Sequence, residues 1–256
     1  MTRTIRIDLS YDGSGFVGWQ RQSNGLGVQE TVENVLSTVC NSSRIVVEAA
    51  SRTDTGVHAR RQVASARVDT RMDDATLATA MNVLLPDSVH ILSVETVAHD
   101  FHARFWARGK RYIYRVESAR FRSPFETHYA SWVRAPLDLL AMRAGAKHLI
   151  GRHDFVAFAN SKIEVENTVR TIEYIHIFRR RNIYQFGIQG NAFLYNQVRS
   201  MVGTLVLVGK RKIAPEDVAN ILASRDRRLA GPTMPPEGLI LARVLISSAA
   251  TRAPYI

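Results

Sequence analysis

The order in which two kinds of periodicity follow one another constrains this chain most. Thr4 to Tyr11 alternate apolar and polar residues, as a half-buried strand does. Val28, Val32, Val35, Leu36 and Val39 recur at helical spacing. Ile45 to Ala50 and Gln62 to Asp69 read as two strands. Leu77, Met81, Leu84 and Leu85 make a helix face ended by Pro86, and Val89 to Val97 is a further strand. The second half runs in the same order. Lys110 to Glu117 is strand-like, and Pro136 opens a helix carrying Leu137, Leu140, Ala144 and His148, which Gly151 stops. Thr168 to Arg179 and Ile183 to Gln189 form a strand pair. Val198, Met201, Val202, Leu205 and Val208 make a helix stripe, Pro215 to Ser224 a short extra helix, and Leu239 to Ile246 a last strand.

Two β-α-β-β-α-β units in tandem predict an α+β chain of two ferredoxin-like lobes, residues 1–103 and 104–256. Their mostly antiparallel sheets are expected to join across a central cleft. No low-complexity linker separates them, so the junction is expected to be rigid. At 256 residues the chain is long enough for either one large core or two smaller ones.

Charge narrows the choice of partner. Lys and Arg number 34 against 23 acidic residues, a net charge of +11. The sequence pI near 10.3 points to an anionic partner, of which RNA or DNA is the commonest. The single cysteine, Cys40, excludes an intrachain disulfide and fits a reducing cytoplasm; lying among Val35, Leu36 and Val39, it is expected in the core. The first twelve residues carry no signal-peptide core, and the most apolar stretch, Met201 to Val208, is far shorter than the roughly 18 residues of a membrane span.

Most familiar chemistries find no support. Gly13-Ser14-Gly15-Phe16-Val17-Gly18 matches G-x-G-x-x-G after a strand. A dinucleotide site needs a helix opening at that loop, and here none begins before Val28, so the match reads as a glycine-rich turn. Of the eight histidines only His99 and His102 lie close together, and nothing completes a metal site around them. There is no G-x-S-x-G.

The segment Ser51-Arg52-Thr53-Asp54-Thr55-Gly56-Val57-His58-Ala59 stands apart. It joins two strand-like runs, is polar, and places Asp54 between Arg52 and His58. A loop aspartate of this kind is ordinarily a turn residue bonded to its own backbone. The functional reading is a carboxylate at the mouth of a cleft, kept ionised by cations and able to act as a nucleophile in glycosidic chemistry.

This segment resembles the loop of the tRNA pseudouridine synthase A family, roughly G-R-T-D-A-G-V-H. Ser51 and Thr55 replace the glycine and alanine, while Arg52, Thr53, Asp54, Gly56, Val57 and His58 match. The resemblance continues through Tyr11-Asp12-Gly13, Gly18-Trp19-Gln20-Arg21-Gln22, Asp100 to Phe105, Lys110 to Tyr114, His153-Asp154-Phe155, Asn191 to Tyr195, Val198-Arg199 and Glu237-Gly238-Leu239. It departs at Asn196, Gln197 and Ser200, where the family often has His, Met and Asn.

The resemblance implies an isomerase that converts uridine to pseudouridine at positions 38, 39 and 40 of the tRNA anticodon stem-loop. It implies a cytoplasmic homodimer with no metal and no cofactor. It assigns Asp54 as the nucleophile, Tyr112 as the tyrosine that stacks on the target base, Arg199 as the arginine paired with the catalytic aspartate, and Arg52 as a phosphate contact or a filler of the gap left by an extruded base. Unaided, the residues read differently: Tyr112 as one face of a half-buried strand, Arg199 as an arginine lying along an apolar stripe, Arg52 as a solvated charge. A non-catalytic RNA-binding protein on the same fold, or a hydrolase that releases free base, would carry the same basic clusters. The RNA-binding protein has no need to keep Asp54, Tyr112 and Arg199 together, and the hydrolase would differ in its product.

Overall fold

A computed structural model describes residues 2–160 and 166–247. The chain divides into two compact units. One runs up to Arg108 and takes back the chain from Leu241; the other is Gly109–Ile240.

In the first unit β1 (Thr2–Tyr11) lies between β3 (His58–Asp69) and β4 (Val89–Thr96), antiparallel to both. Ile5, Ile7 and Leu9 of β1 are fully buried, as a strand with alternate residues on one covered face requires. Val28, Val32 and Leu36 of α1 (Val28–Val39) and Leu77 and Met81 of α2 (Asp74–Leu84) supply the helical side of that core. The Asp73 carboxylate caps α2 by accepting from the Thr76 amide at 2.7 Å. Pro86 follows within two residues of its end, and β10 (Leu239–Ile246) lies beside β3.

The stretch from Ile45 to Ala50, expected to be a full strand, pairs with β3 only through the two residues of β2 (Glu48–Ala49). The Ala50 amide adds one bond to the Val63 carbonyl of β3 at 2.8 Å, and helix α1 takes two other donors. The Ile45 amide donates to Ser37 Oγ at 2.8 Å, and the Val47 amide to the buried Glu33 carboxylate at 3.1 Å. Cys40 is half-buried at the end of α1 rather than in the core. Sequence reasoning passed over the short helix α3 (Ala103–Trp106).

The second unit is built on β5 (Ala107–Ser118), β9 (Ile183–Gly190), β8 (Val169–Arg180) and β7 (Gly151–Asp154), successively antiparallel. A three-residue β6 (Ser131–Val133) runs parallel to β5. Tyr112, Tyr114 and Val116 of β5 share a buried face with Tyr184, Phe186 and Ile188 of β9. Helix α5 (Gln197–Gly209) is buried on nearly every side, with α4 (Leu139–Lys147) against it. Helix α4 starts three residues after Pro136, because the Asp138 side chain caps it by accepting from the Ala141 amide at 3.0 Å. Helix α6 (Asp217–Ser224) is the short extra helix. The chain is therefore α+β with mostly antiparallel sheets, as its periodicities imply. No helix among the described residues is long and apolar enough to cross a membrane.

Candidate active site

Residues 51–57 leave the end of β2 and enter β3 at His58. Bonds from a neighbouring turn hold them on several sides. The Trp19 amide donates to the Thr53 carbonyl at 3.0 Å, Thr55 Oγ1 to the Val17 carbonyl at 3.0 Å, and the Gly56 amide to the Phe16 carbonyl at 3.3 Å. Within the loop, the Val57 amide closes back on the Asp54 carbonyl at 3.1 Å. Below it lies a buried polar chain. The Tyr11 and Thr53 hydroxyls are 2.8 Å apart, and Gln62 Nε2 donates to the Ser51 carbonyl at 2.6 Å.

Gly18 explains the glycine-rich turn that precedes α1. Its φ is +107°, a region costly to any residue with a side chain, and an added Cβ would lie 2.7 Å from the Thr53 carbonyl oxygen. The G-x-G-x-x-G match thus cradles a protein loop rather than a pyrophosphate. Nothing in the sequence of either segment alone reveals this, since the partner of Gly18 is Thr53, 35 residues further along the chain.

Asp54 is half-buried at the crest of the braced loop, and Arg52 is exposed. His58, four residues after Asp54 and expected as a neighbouring cation, is buried instead. Its Nδ1 accepts from the Gly13 amide at 3.1 Å and lies 3.1 Å from an Asp12 carboxylate oxygen. It pins the loop to the turn at the end of β1.

Tyr112 and Arg199 belong to the second unit. Tyr112 is buried on β5, and Phe193 meets its ring edge-on, with centroids 5.1 Å apart and planes at 88°. Two residues along the same face, the Tyr114 hydroxyl donates to the Pro235 carbonyl at 2.6 Å. Burial pushes the Tyr114 phenol above its ordinary range; a hydrogen bond with Ser131 opposes this, the Glu237 carboxylate adds to it, and the charge of Arg199 opposes it.

Arg199 lies half-buried in the first turn of α5. Its Nε donates to the Met234 carbonyl at 2.6 Å and its Nη1 to Asn196 Oδ1 at 2.9 Å. Gly203, one turn on, lets residues 231–235 approach so closely that a Cβ there would lie 1.9 Å from the Pro232 carbonyl oxygen. The run Gly231-Pro232-Thr233-Met234-Pro235-Pro236 is poor in N–H donors, so its carbonyls outnumber its amides. That composition was the available signal for a segment that accepts from Arg199 and Tyr114, and sequence reasoning did not use it. The residues that depart from the family pattern are all engaged. Asn196 bonds Arg199, Gln197 Oε1 accepts from the Leu194 amide at 2.8 Å, and Ser200 Oγ lies 3.3 Å from Thr233 Oγ1.

Fixing a polar loop of this length is costly in conformational freedom, and its bonds run to separate segments of the first unit. The first unit thus presents a half-buried aspartate on a braced loop of an α+β frame. The model of the family described as "tRNA pseudouridine synthase" matches residues 9–106 and 146–245. The chain is 42% identical over 241 residues to tRNA pseudouridine synthase A of Halalkalibacterium halodurans, covering 94% of this chain and 92% of that protein. It is 39% identical over 243 residues to the protein of that name from Thermoanaerobacter sp., covering 95% and 99%. It is 39% identical over 246 residues to the one from Streptococcus pneumoniae, covering 95% and 98%. The chain belongs to the tRNA pseudouridine synthase family, whose members are isomerases that convert uridine to pseudouridine.

Proposed function

We propose that this chain isomerises uridine to pseudouridine at positions 38, 39 and 40 of the tRNA anticodon stem-loop, with Asp54 as nucleophile. The observation that carries the reading is the bracing of the Asp54 loop by Tyr11, Gly18, Trp19 and Gln62. A loop held this firmly presents its carboxylate with little backbone reorganisation.

The target uridine leaves its stack at a cost of a few kcal/mol. Tyr112 stacks on the extruded base, and Arg52 contacts a phosphate or fills the vacated space. Asp54 attacks C6 of the base or C1′ of the ribose. The N1–C1′ bond breaks, the base turns, and C5 bonds to C1′; the bond from Asp54 to the substrate breaks and returns the carboxylate, the proton on C5 is lost and N1 gains one, so the product is an isomer of the substrate. Arg199 supplies the guanidinium that keeps the catalytic carboxylate ionised. No step consumes ATP or a redox equivalent. The enzyme works as a cytoplasmic homodimer, and three adjacent target positions favour recognition of tRNA shape over base edges.

Incubation with a tRNA transcript carrying tritium at C5 of uridine tests the reading. Tritium release without free uracil is expected. Release of uracil would make the chain a hydrolase, and tRNA binding with neither product would make it a binding protein.

A further inference from the structure

The start of α5 is unusual in a way that bears on Arg199. An N-cap residue ordinarily has extended backbone, and its side-chain oxygen accepts from an amide of the first turn. Asn196, at that position, is left-handed, with φ 64° and ψ 2°, and caps no amide. Its Oδ1 instead accepts from Nη1 of Arg199, three residues on, at 2.9 Å. The Met234 carbonyl takes Nε of the same side chain at 2.6 Å.

We propose that Asn196 is a positioning residue for Arg199, and that it sets the plane in which the guanidinium is presented. The proposal rests on the reading of Arg199 given above. A guanidinium is flat, so acceptors on two of its nitrogens fix both its direction and its rotation. One acceptor alone leaves rotation about the side chain open. Both acceptors are themselves anchored. Residues 231–235 are held by the Gly231 amide on Thr204 Oγ1 at 2.8 Å, by Arg227 Nη2 on Thr233 Oγ1 at 2.9 Å, and by the Tyr114 hydroxyl on Pro235. The turn before α5 is held by the Asn160 amide on the Tyr195 carbonyl at 3.0 Å and by Gln197 on Leu194. Asparagine suits the position twice over. It tolerates the left-handed backbone better than most residues, and its short side chain ends in an acceptor.

The test compares Asn196→Gly, Asn196→Asp and Arg199→Ala by tritium release, tRNA binding and thermal melting. Glycine keeps the left-handed backbone and removes the acceptor. Its kcat is expected to fall on the order of ten- to a hundredfold, because a misaimed charge costs rate more than affinity. KM and tRNA Kd should stay within about twofold of the parent, with the melting temperature little changed. Aspartate restores an acceptor oxygen and should recover most of the lost rate. Wild-type kcat in Asn196→Gly, with Arg199→Ala inactive, overturns the proposal and leaves the role of Arg199 standing. Equal loss of rate in the glycine and aspartate variants, with a lowered melting temperature, also overturns it, by making Asn196 structural. Full activity of Arg199→Ala defeats the reading of Arg199 itself.

Discussion

The Tyr11 and Thr53 hydroxyls meet at 2.8 Å in the core of the first unit, one residue before Asp54. The last residue of β1 therefore supports the loop that carries the candidate nucleophile. Tyr11→Phe leaves the buried Thr53 hydroxyl without this partner and removes the hydroxyl that Gln62 Nε2 approaches at 3.4 Å. A buried polar group deprived of its partner costs about 1–3 kcal/mol. We expect a lower denaturant midpoint and a reduced kcat. Unchanged values of both would show that the hydroxyl pair does not support the loop.

Gly18→Ala puts a side chain on a residue at φ +107° and a Cβ 2.7 Å from the Thr53 carbonyl oxygen. The backbone strain alone is about 1–3 kcal/mol, and the contact displaces the Asp54 loop. Activity should fall more steeply than stability, because the damage is local to the loop. Gly15→Ala is the control: a Cβ there meets nothing within 4 Å. Equal activity in the two variants would show that the close approach at Gly18 is irrelevant to catalysis.

Asp54→Asn replaces the carboxylate with an amide of the same size and should preserve the loop. Removing a nucleophile costs at least about three orders of magnitude in rate. Tritium release should fall to background, while filter binding finds tRNA affinity within about threefold of the parent. Release at the parent rate would assign the nucleophile elsewhere.

Arg199→Lys keeps the charge and removes the planar fork. An ammonium cannot serve the Met234 carbonyl and Asn196 Oδ1 with the geometry of Nε and Nη1. We expect kcat to drop about ten- to a hundredfold with modest change in KM. A lysine variant as fast as the parent would mean that only the charge matters.

Tyr114 sets a limit on stability in alkali. Its folded pKa is raised above the ordinary 10.0, chiefly by burial. The folded state thus holds the phenolic proton more tightly than the unfolded chain does. Its contribution is complete below about pH 10 and is lost as pH rises through the higher folded value. Stability should therefore decline from pH 10 upward, and less steeply in Tyr114→Phe. Parallel pH profiles for the two proteins would exclude Tyr114 as the source.

Long periodic segments were legible from the sequence, because each buries one face and its spacing records which face. That holds for β1, α1, α2, β8, β9 and α5. Ile45 to Ala50 read as a strand because its composition is strand-like, yet the Ile45 and Val47 amides go to Ser37 and Glu33 of a helix. Elements of three or four residues, β6 and β7 among them, are too short for any period to register.

For the site, sequence supplied the residue types and, through family resemblance, the choice of Asp54 from 23 acidic residues. It did not supply the surroundings. That His58 is a buried pin rather than a solvent-facing side chain, that Gly18 fits under the Thr53 carbonyl, and that Met234 and Asn196 hold Arg199 are facts about groups up to dozens of residues apart. Several of the partners are backbone carbonyls, which every residue possesses. Local sequence fixes which face of a helix or strand is apolar, by spacing alone. Which carbonyl reaches which side chain depends on how those faces pack, and only the tertiary structure decides it.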